Sequence, residues 1–117
     1  SSTFLEYAGP AAEGVVATYP YDVDAPDEAN RAFVAAYEKE YGRTPDSFGA
    51  HGYDAMSVLL AAVETGGQNR ALVRDALAQT KDFPGVTGPI SFNNVGNDKR
   101  KPPLARVQNG KFVLIPD

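Results

Sequence analysis

One stretch, SFGAHGYDAMSVLLAAVETGG from Ser47 to Gly67, constrains the fold more than any other. It is the longest apolar-periodic segment. Tyr53, Met56, Leu59, Leu60 and Val63 recur at spacings of three and four, which places them on one face of a helix. Ser47 reads as its N-cap and Gly66–Gly67 as its stop. The first turn, Phe48 to Tyr53, is built differently: it holds two glycines, the chain's only histidine and two aromatic rings. Glycine there admits a close neighbour, either a ligand or the adjoining layer.

The remaining chain supplies a strand, two more helices and a ribbon around this segment. Ser1 to Gly9 forms a helical turn or two, stopped by Gly9-Pro10. Val15 to Tyr19 is β-branched and aromatic between Gly14 and Pro20, so it reads as a strand. It is apolar on both faces, which predicts cover on both sides, by sheet neighbours that the rest of the sequence hardly supplies. Pro26 sits at the first position of a helix running to about Tyr41, with Asp27 and Glu28 suited to its N-terminal dipole. Phe33, Tyr37 and Tyr41 lie on its core face. Asn69 caps a third helix from Arg70 to about Thr80, with Leu72, Val73, Ala76 and Leu77 as its stripe. Pro84, Gly85, Gly88 and Pro89 then exclude helix. Ile90 to Phe92 reads as a short strand, and PGVTGP as a turn between layers. Asn109-Gly110 predicts a type I′ hairpin joining strands Leu104–Gln108 and Lys111–Ile115.

Composition narrows function mostly by exclusion. The chain has 117 residues, a net charge of −4 and no cysteine. An acidic chain is poorly suited to nucleic acid. Its one basic cluster, Lys99-Arg100-Lys101 beside Pro102-Pro103, reads as a solvated loop. Without cysteine there is no disulfide, thiol catalysis or thiolate metal site. No segment has the length of a membrane span or the pattern of a signal peptide. GxSxG, HExxH, P-loop and GxGxxG motifs are all missing, and no serine is paired by signature with His51. Asp22, Asp24, Asp27 and Glu28 lack the glycine and spacing of a calcium loop. No catalytic residue, metal or cofactor is expected.

Four residues remain as candidates for ligand contact. Tyr19 and Tyr21 close the strand at its carboxyl end, where α/β proteins collect ligands. Phe48 is either a lid over an apolar group or a staple for its helix. His51 either bonds a ligand carboxylate or hydroxyl or is satisfied by nearby backbone. Asp54 reads as compensation of the helix dipole.

The segments AAEGVVATYPYD, AFVAAYEKEYGRTPDSF, GYDAMSVLLAAVETGG and VRDALAQTKDFPGVTGPISFNNVGNDKRKPPLARVQNGKFVLI, in that order, resemble the C-terminal part of type I periplasmic solute-binding proteins of branched-chain amino-acid-type ABC transporters. The resemblance covers essentially the whole chain. It implies an α/β fold, a fragment of two Rossmann-like lobes that clamp a ligand: a strand, three helices and a C-terminal antiparallel ribbon. Residues 1–20, with the hinge strand, would belong to the second lobe, 21–87 to the helical part of the first, and 88–117 to a ribbon returning to the second. The parallel neighbours of Val15–Tyr19 would lie upstream. So would the loop that takes the ligand carboxylate and the acid that takes the amino group; Glu13, in the A-E-G motif, is not that acid.

The resemblance further implies a periplasmic or outward-facing location, an amino acid or other small carboxylate as ligand, and a membrane permease as partner. Phe48 would be a wall of the side-chain pocket, whereas His51 matches no general pattern and leaves the ligand class open. A receptor or regulator domain of the same fold is the rival reading. If only these residues are present, unpaired strand edges predict an intertwined or domain-swapped oligomer.

Overall fold

The computed structural model describes residues 2–116. Helix α1 (Ser2–Ala8) runs into a short 3-10 turn (Gly9–Ala12), followed by strand β1 (Val16–Thr18). Helices α2 (Glu28–Tyr41), α3 (Ser47–Gly66) and α4 (Arg70–Ala78) come next, then strands β2 (Phe83–Gly85), β3 (Gly88–Ile90), β4 (Leu104–Gln108) and β5 (Lys111–Ile115). The expected strand, three helices and ribbon are all present, together with α1 and a small β2–β3 hairpin. The chain divides into two compact units, 1–22 with 101–117, and 23–100.

The first unit is a three-stranded antiparallel sheet ordered β1-β4-β5. Val16 pairs with Arg106 and Thr18 with Leu104, and the backbone bonds Val107 N–H to Val15 O (2.9 Å) and Tyr19 N–H to Pro103 O (2.7 Å) extend that ladder at both ends. Strand β1 therefore has a partner within this chain, contrary to the sequence reading. That partner approaches antiparallel, and the strand is half open: Val16 is 46% exposed. Ala105 and Val107, alternate residues of β4, are fully buried, so one face of the sheet carries the core. Phe112 on β5 meets the rings of Tyr19 (5.4 Å) and Phe4 (6.5 Å).

The expected hairpin forms, with Asn109 and Gly110 both at positive φ. Glu13 reaches it from the far end of the sequence. Its carboxylate accepts the N–H groups of Asn109 (3.0 Å) and Gly110 (3.3 Å). Its role in this unit is to cap a turn.

In the second unit each helix starts at a side-chain cap. Asp27 accepts from Asn30 N–H (2.8 Å), Asp46 from Gly49 N–H (2.8 Å), and Asn69 from Ala71 and Leu72 N–H. Of these caps, Asn69 is the one the sequence pattern predicts. Asp46 takes the place assigned to Ser47, and Asp27 displaces Pro26 to just outside α2. In both cases the aspartate sits where its carboxylate reaches the N3 amide. Gly42 ends α2 in the left-handed conformation with its N–H on Glu38 O (2.8 Å). Asn30 is fully buried, and its amide holds the preceding loop through Val23 O (2.9 Å) and Ala25 O (3.1 Å).

The buried line of α3 differs from the predicted one. Ala50, Asp54, Val58, Ala62 and Gly66 are buried, at a strict spacing of four. Tyr53, Met56, Leu59, Leu60 and Val63 are 40–57% exposed. Small residues allow α4 and the β2 strand close to the α3 axis, which larger side chains would forbid. At Gly66 a Cβ would lie 2.6 Å from Val73 N and 2.7 Å from Leu72 C, so glycine is required for the α3–α4 approach. The α2 aromatics form a graded series: Phe33 is buried, Tyr37 half-buried and Tyr41 exposed, so only Phe33 is core in full.

Candidate functional site

The four candidate residues fall two in each unit. Tyr19 is half-buried, with its ring on Phe112; Tyr21 is buried at 6% exposure. Phe48 and His51 share the first turn of α3. Phe48 is 83% exposed, so it does not staple the helix, and its ring is presented outward. His51 Nδ1 lies 2.7 Å from Ser47 O and 3.3 Å from Ser47 Oγ. A carbonyl only accepts, so Nδ1 carries the proton, and the neutral ring keeps Nε2 as its acceptor. One nitrogen is thus satisfied by backbone and the other retains chemistry. The glycines of this turn are also distinct. A Cβ on Gly49 would stand 3.3 Å from the Tyr37 ring, so Gly49 serves the adjoining helix, whereas Gly52 faces open space.

Beside this turn lies a polar knot that sequence reading missed. Asp54, 3% exposed, accepts from Val86 N–H (2.7 Å), Thr87 N–H (2.9 Å) and Thr87 Oγ–H (2.6 Å). The carboxylate clamps the PGVTGP turn to α3 and is no mere compensator of the helix dipole. Arg100 closes the other side: Nη1 donates to Thr87 O (2.6 Å) and Thr87 Oγ (3.0 Å), while Nε donates to Asp98 (2.8 Å). Arg100 is thus a structural member of a cluster that composition reads as a solvated loop. Its hydrogen bond to Asp98 holds that carboxyl below its ordinary value of 3.8; burial opposes this, and the Arg100 N–H and the Arg100 charge add to the lowering. The readable signal was the GVTG turn itself, whose backbone amides need acceptors once the turn is buried.

Besides a shallow groove of about 450 Å³ along the outer side of α2 by Pro26, Arg31 and Val34, a groove of about 440 Å³ runs between α2, α3 and β2, with Phe33, Tyr53, Phe83 and Val86 in its wall. None of the four candidates lines it. Asp54 and Ser57, which do, are turned to partners within the protein, Ser57 Oγ donating to Tyr53 O (2.9 Å). It lacks the aimed polar groups of a ligand site. Among the described residues no cluster of three or more His, Asp or Glu side chains could hold a metal ion. No helix among them is long and apolar enough to cross a membrane.

Comparison with known proteins settles what these two units belong to. The family model described as periplasmic binding protein matches residues 1–111. The chain belongs to that family. No curated relative matches it. Among solved structures it is similar to the leucine-binding protein LivK of Thermotoga maritima, at 30% identity and a TM-score of 0.87, over 99% of this chain and 34% of that one. It is similar to the branched-chain amino acid transporter substrate-binding protein LivJ of Streptococcus pneumoniae, in complex with isoleucine, at 28% identity and 0.83, over 98% and 34%. A solute-binding protein of an ABC transporter from Rhodopseudomonas palustris, in complex with benzoate, matches at 30% and 0.78, over 96% and 32%. The chain spans about a third of the length of these relatives. It therefore has the fold of a fragment of a type I periplasmic binding protein.

Proposed function

We propose that the chain is the C-terminal portion of the extracytoplasmic solute-binding component of an ABC importer, which takes a small amino acid or related carboxylate by closure of two lobes and delivers it to a membrane permease. The observation that carries this reading is the similarity of nearly the whole chain to solved solute-binding proteins, at a TM-score of 0.87 for the leucine-binding protein. Closure follows from the ligand's higher affinity for the closed state. The boundary between the compact units at Asp22 and Val23 supports a hinge just after Tyr21. In this reading residues 1–20 belong to the second lobe and the helices to the first.

Phe48, His51, Tyr19 and Tyr21 are the proposed ligand contacts of this portion. An outward-facing ring at Phe48 supports an apolar wall. The Nε2 of His51 is suited to a ligand hydroxyl or amide when neutral, and to a carboxylate when protonated. A calorimetric screen of the full-length parent against branched-chain and aromatic amino acids and benzoate-type acids tests the reading. Binding of one class is expected, and failure to bind any small carboxylate would refute it. The isolated 117 residues should bind far more weakly, and should associate through unpaired strand edges. A clean monomer by light scattering would count against that association.

A further inference from the structure

Asn109 and Gly110 form the only Asn-Gly pair in the chain, and they occupy the tip of the β4–β5 hairpin at φ of +52° and +73°. Glycine after asparagine leaves its amide nitrogen unshielded, which favours attack on the asparagine side chain. We propose that Asn109 is a site of slow, uncatalysed conversion to aspartate and isoaspartate, and that the Glu13 carboxylate governs its rate.

The chemistry needs only water. The Gly110 amide gives its proton to a solvent base, and its nitrogen attacks Asn109 Cγ. A C–N bond forms, the Cγ–Nδ2 bond breaks, and Nδ2 leaves as ammonia after taking a proton from solvent. Water then opens the five-membered imide at either carbonyl, giving an aspartyl or an isoaspartyl linkage. One water enters and one ammonia leaves.

Glu13 opposes the first step in two ways. Its Oε2 accepts the very N–H that must be lost, at 3.3 Å, and a carboxylate beside an amide disfavours the amide anion. Its Oε1 accepts the Asn109 N–H at 3.0 Å, so both amides of the turn are held by one side chain. The pairs Gln108–Lys111 and Val107–Phe112 fix the strands just below. A nitrogen held this way does not swing freely toward Cγ. The products undo the arrangement: each places a new carboxylate on a turn that already faces Glu13. The isoaspartyl form also adds a methylene to the main chain of a two-residue loop, whose length fixes the strand register. The modified hairpin is therefore a loosened one.

The experiment is prolonged incubation of the chain at neutral pH, followed by peptide mapping with mass spectrometry that separates aspartyl from isoaspartyl products. The folded chain is compared with the same chain in urea and with Glu13→Gln and Glu13→Asp. Conversion confined to residue 109, slower in the folded chain than in urea and several-fold faster in Glu13→Gln, is expected. Glu13→Asp keeps the charge but is one methylene shorter, so it should fall between. No conversion at residue 109 even in urea would overturn the proposal. So would a Glu13→Gln rate at or below that of the wild type, since the carboxylate would then assist the reaction. If Glu13→Gln fails to fold, Glu13→Asp decides alone, and a rate no faster than wild type overturns the proposal.

Discussion

Replacing Asp54 by alanine tests how the helical unit is held together. The carboxylate is 3% exposed and accepts two backbone N–H groups and one hydroxyl, all from the turn between β2 and β3. A hydrogen bond to a charged acceptor nets about 1.5–3 kcal/mol, and a buried donor left without a partner costs about 1–3 kcal/mol. These contributions overlap and do not simply add. Thr87 is half-buried and its groups can turn to water, but Val86 is 6% exposed and its N–H cannot. The expected loss is therefore about 3–5 kcal/mol, as for a broken buried ion contact, out of a total stability of about 5–15 kcal/mol. Asp54→Asn keeps the shape but turns an NH2 toward one of the donors, and should lose about 2–3 kcal/mol. Urea unfolding by circular dichroism gives the loss, and hydrogen exchange at the Val86 amide gives its location. A loss below about 1 kcal/mol with the Val86 amide still protected would refute the reasoning. The hairpin would then be held by its own ladder and apolar contacts.

Gly66→Ala pushes a methyl against the backbone of Leu72 and Val73, which has no rotamer to give, and should cost about 1–3 kcal/mol in calorimetric unfolding. Phe48→Ala should leave stability within about 0.5 kcal/mol because the ring is exposed; in the full-length parent it should weaken ligand binding about tenfold or more, and unchanged affinity would demote the turn to scaffold. Asp98 has a folded pKa lowered below 3.8, so its stabilisation is complete above that value and is lost as pH falls through the folded pKa. Acid unfolding of Asp98→Asn and wild type should therefore converge at low pH and separate modestly above it, the pair being partly exposed.

Local grammar carried most of the fold. Helix stops at Gly42 and Gly66–Gly67, the Asn69 cap and the Asn109-Gly110 turn all act within a few residues, so they are legible without tertiary context. The readings that failed depend on contacts distant in sequence. Strand β1 finds its antiparallel partner almost ninety residues later, at Leu104–Arg106. Asp54 finds its donors over thirty residues away, and Glu13 nearly a hundred. A carboxylate on a helix looks the same in sequence whether it faces water or a ring of buried amides. Of the candidate site, the outward ring at Phe48 and the singular histidine at His51 were visible as residue types. The Nδ1 tautomer of His51 and the Asp54–Thr87–Arg100 network were not.

Helix α3 shows why hydrophobic periodicity alone picks a face other than the one this chain buries. Periodicity weights large apolar side chains and therefore selects Tyr53, Met56, Leu59, Leu60 and Val63. Close packing selects the line of smallest side chains, Ala50, Ala62 and Gly66 with Val58 and the one polar anchor Asp54, because there two elements approach most nearly. The covered line and the exposed stripe together make α3 apolar around much of its circumference. Such a helix belongs between two layers. One layer, of α4 and the β2–β3 hairpin, is present. The other has to cover a stripe of five large side chains at least 40% exposed. In solved relatives of about three times the length there is chain enough to supply it. On this reasoning the stripe has the character of an interior surface, and a further layer of chain is what would cover it.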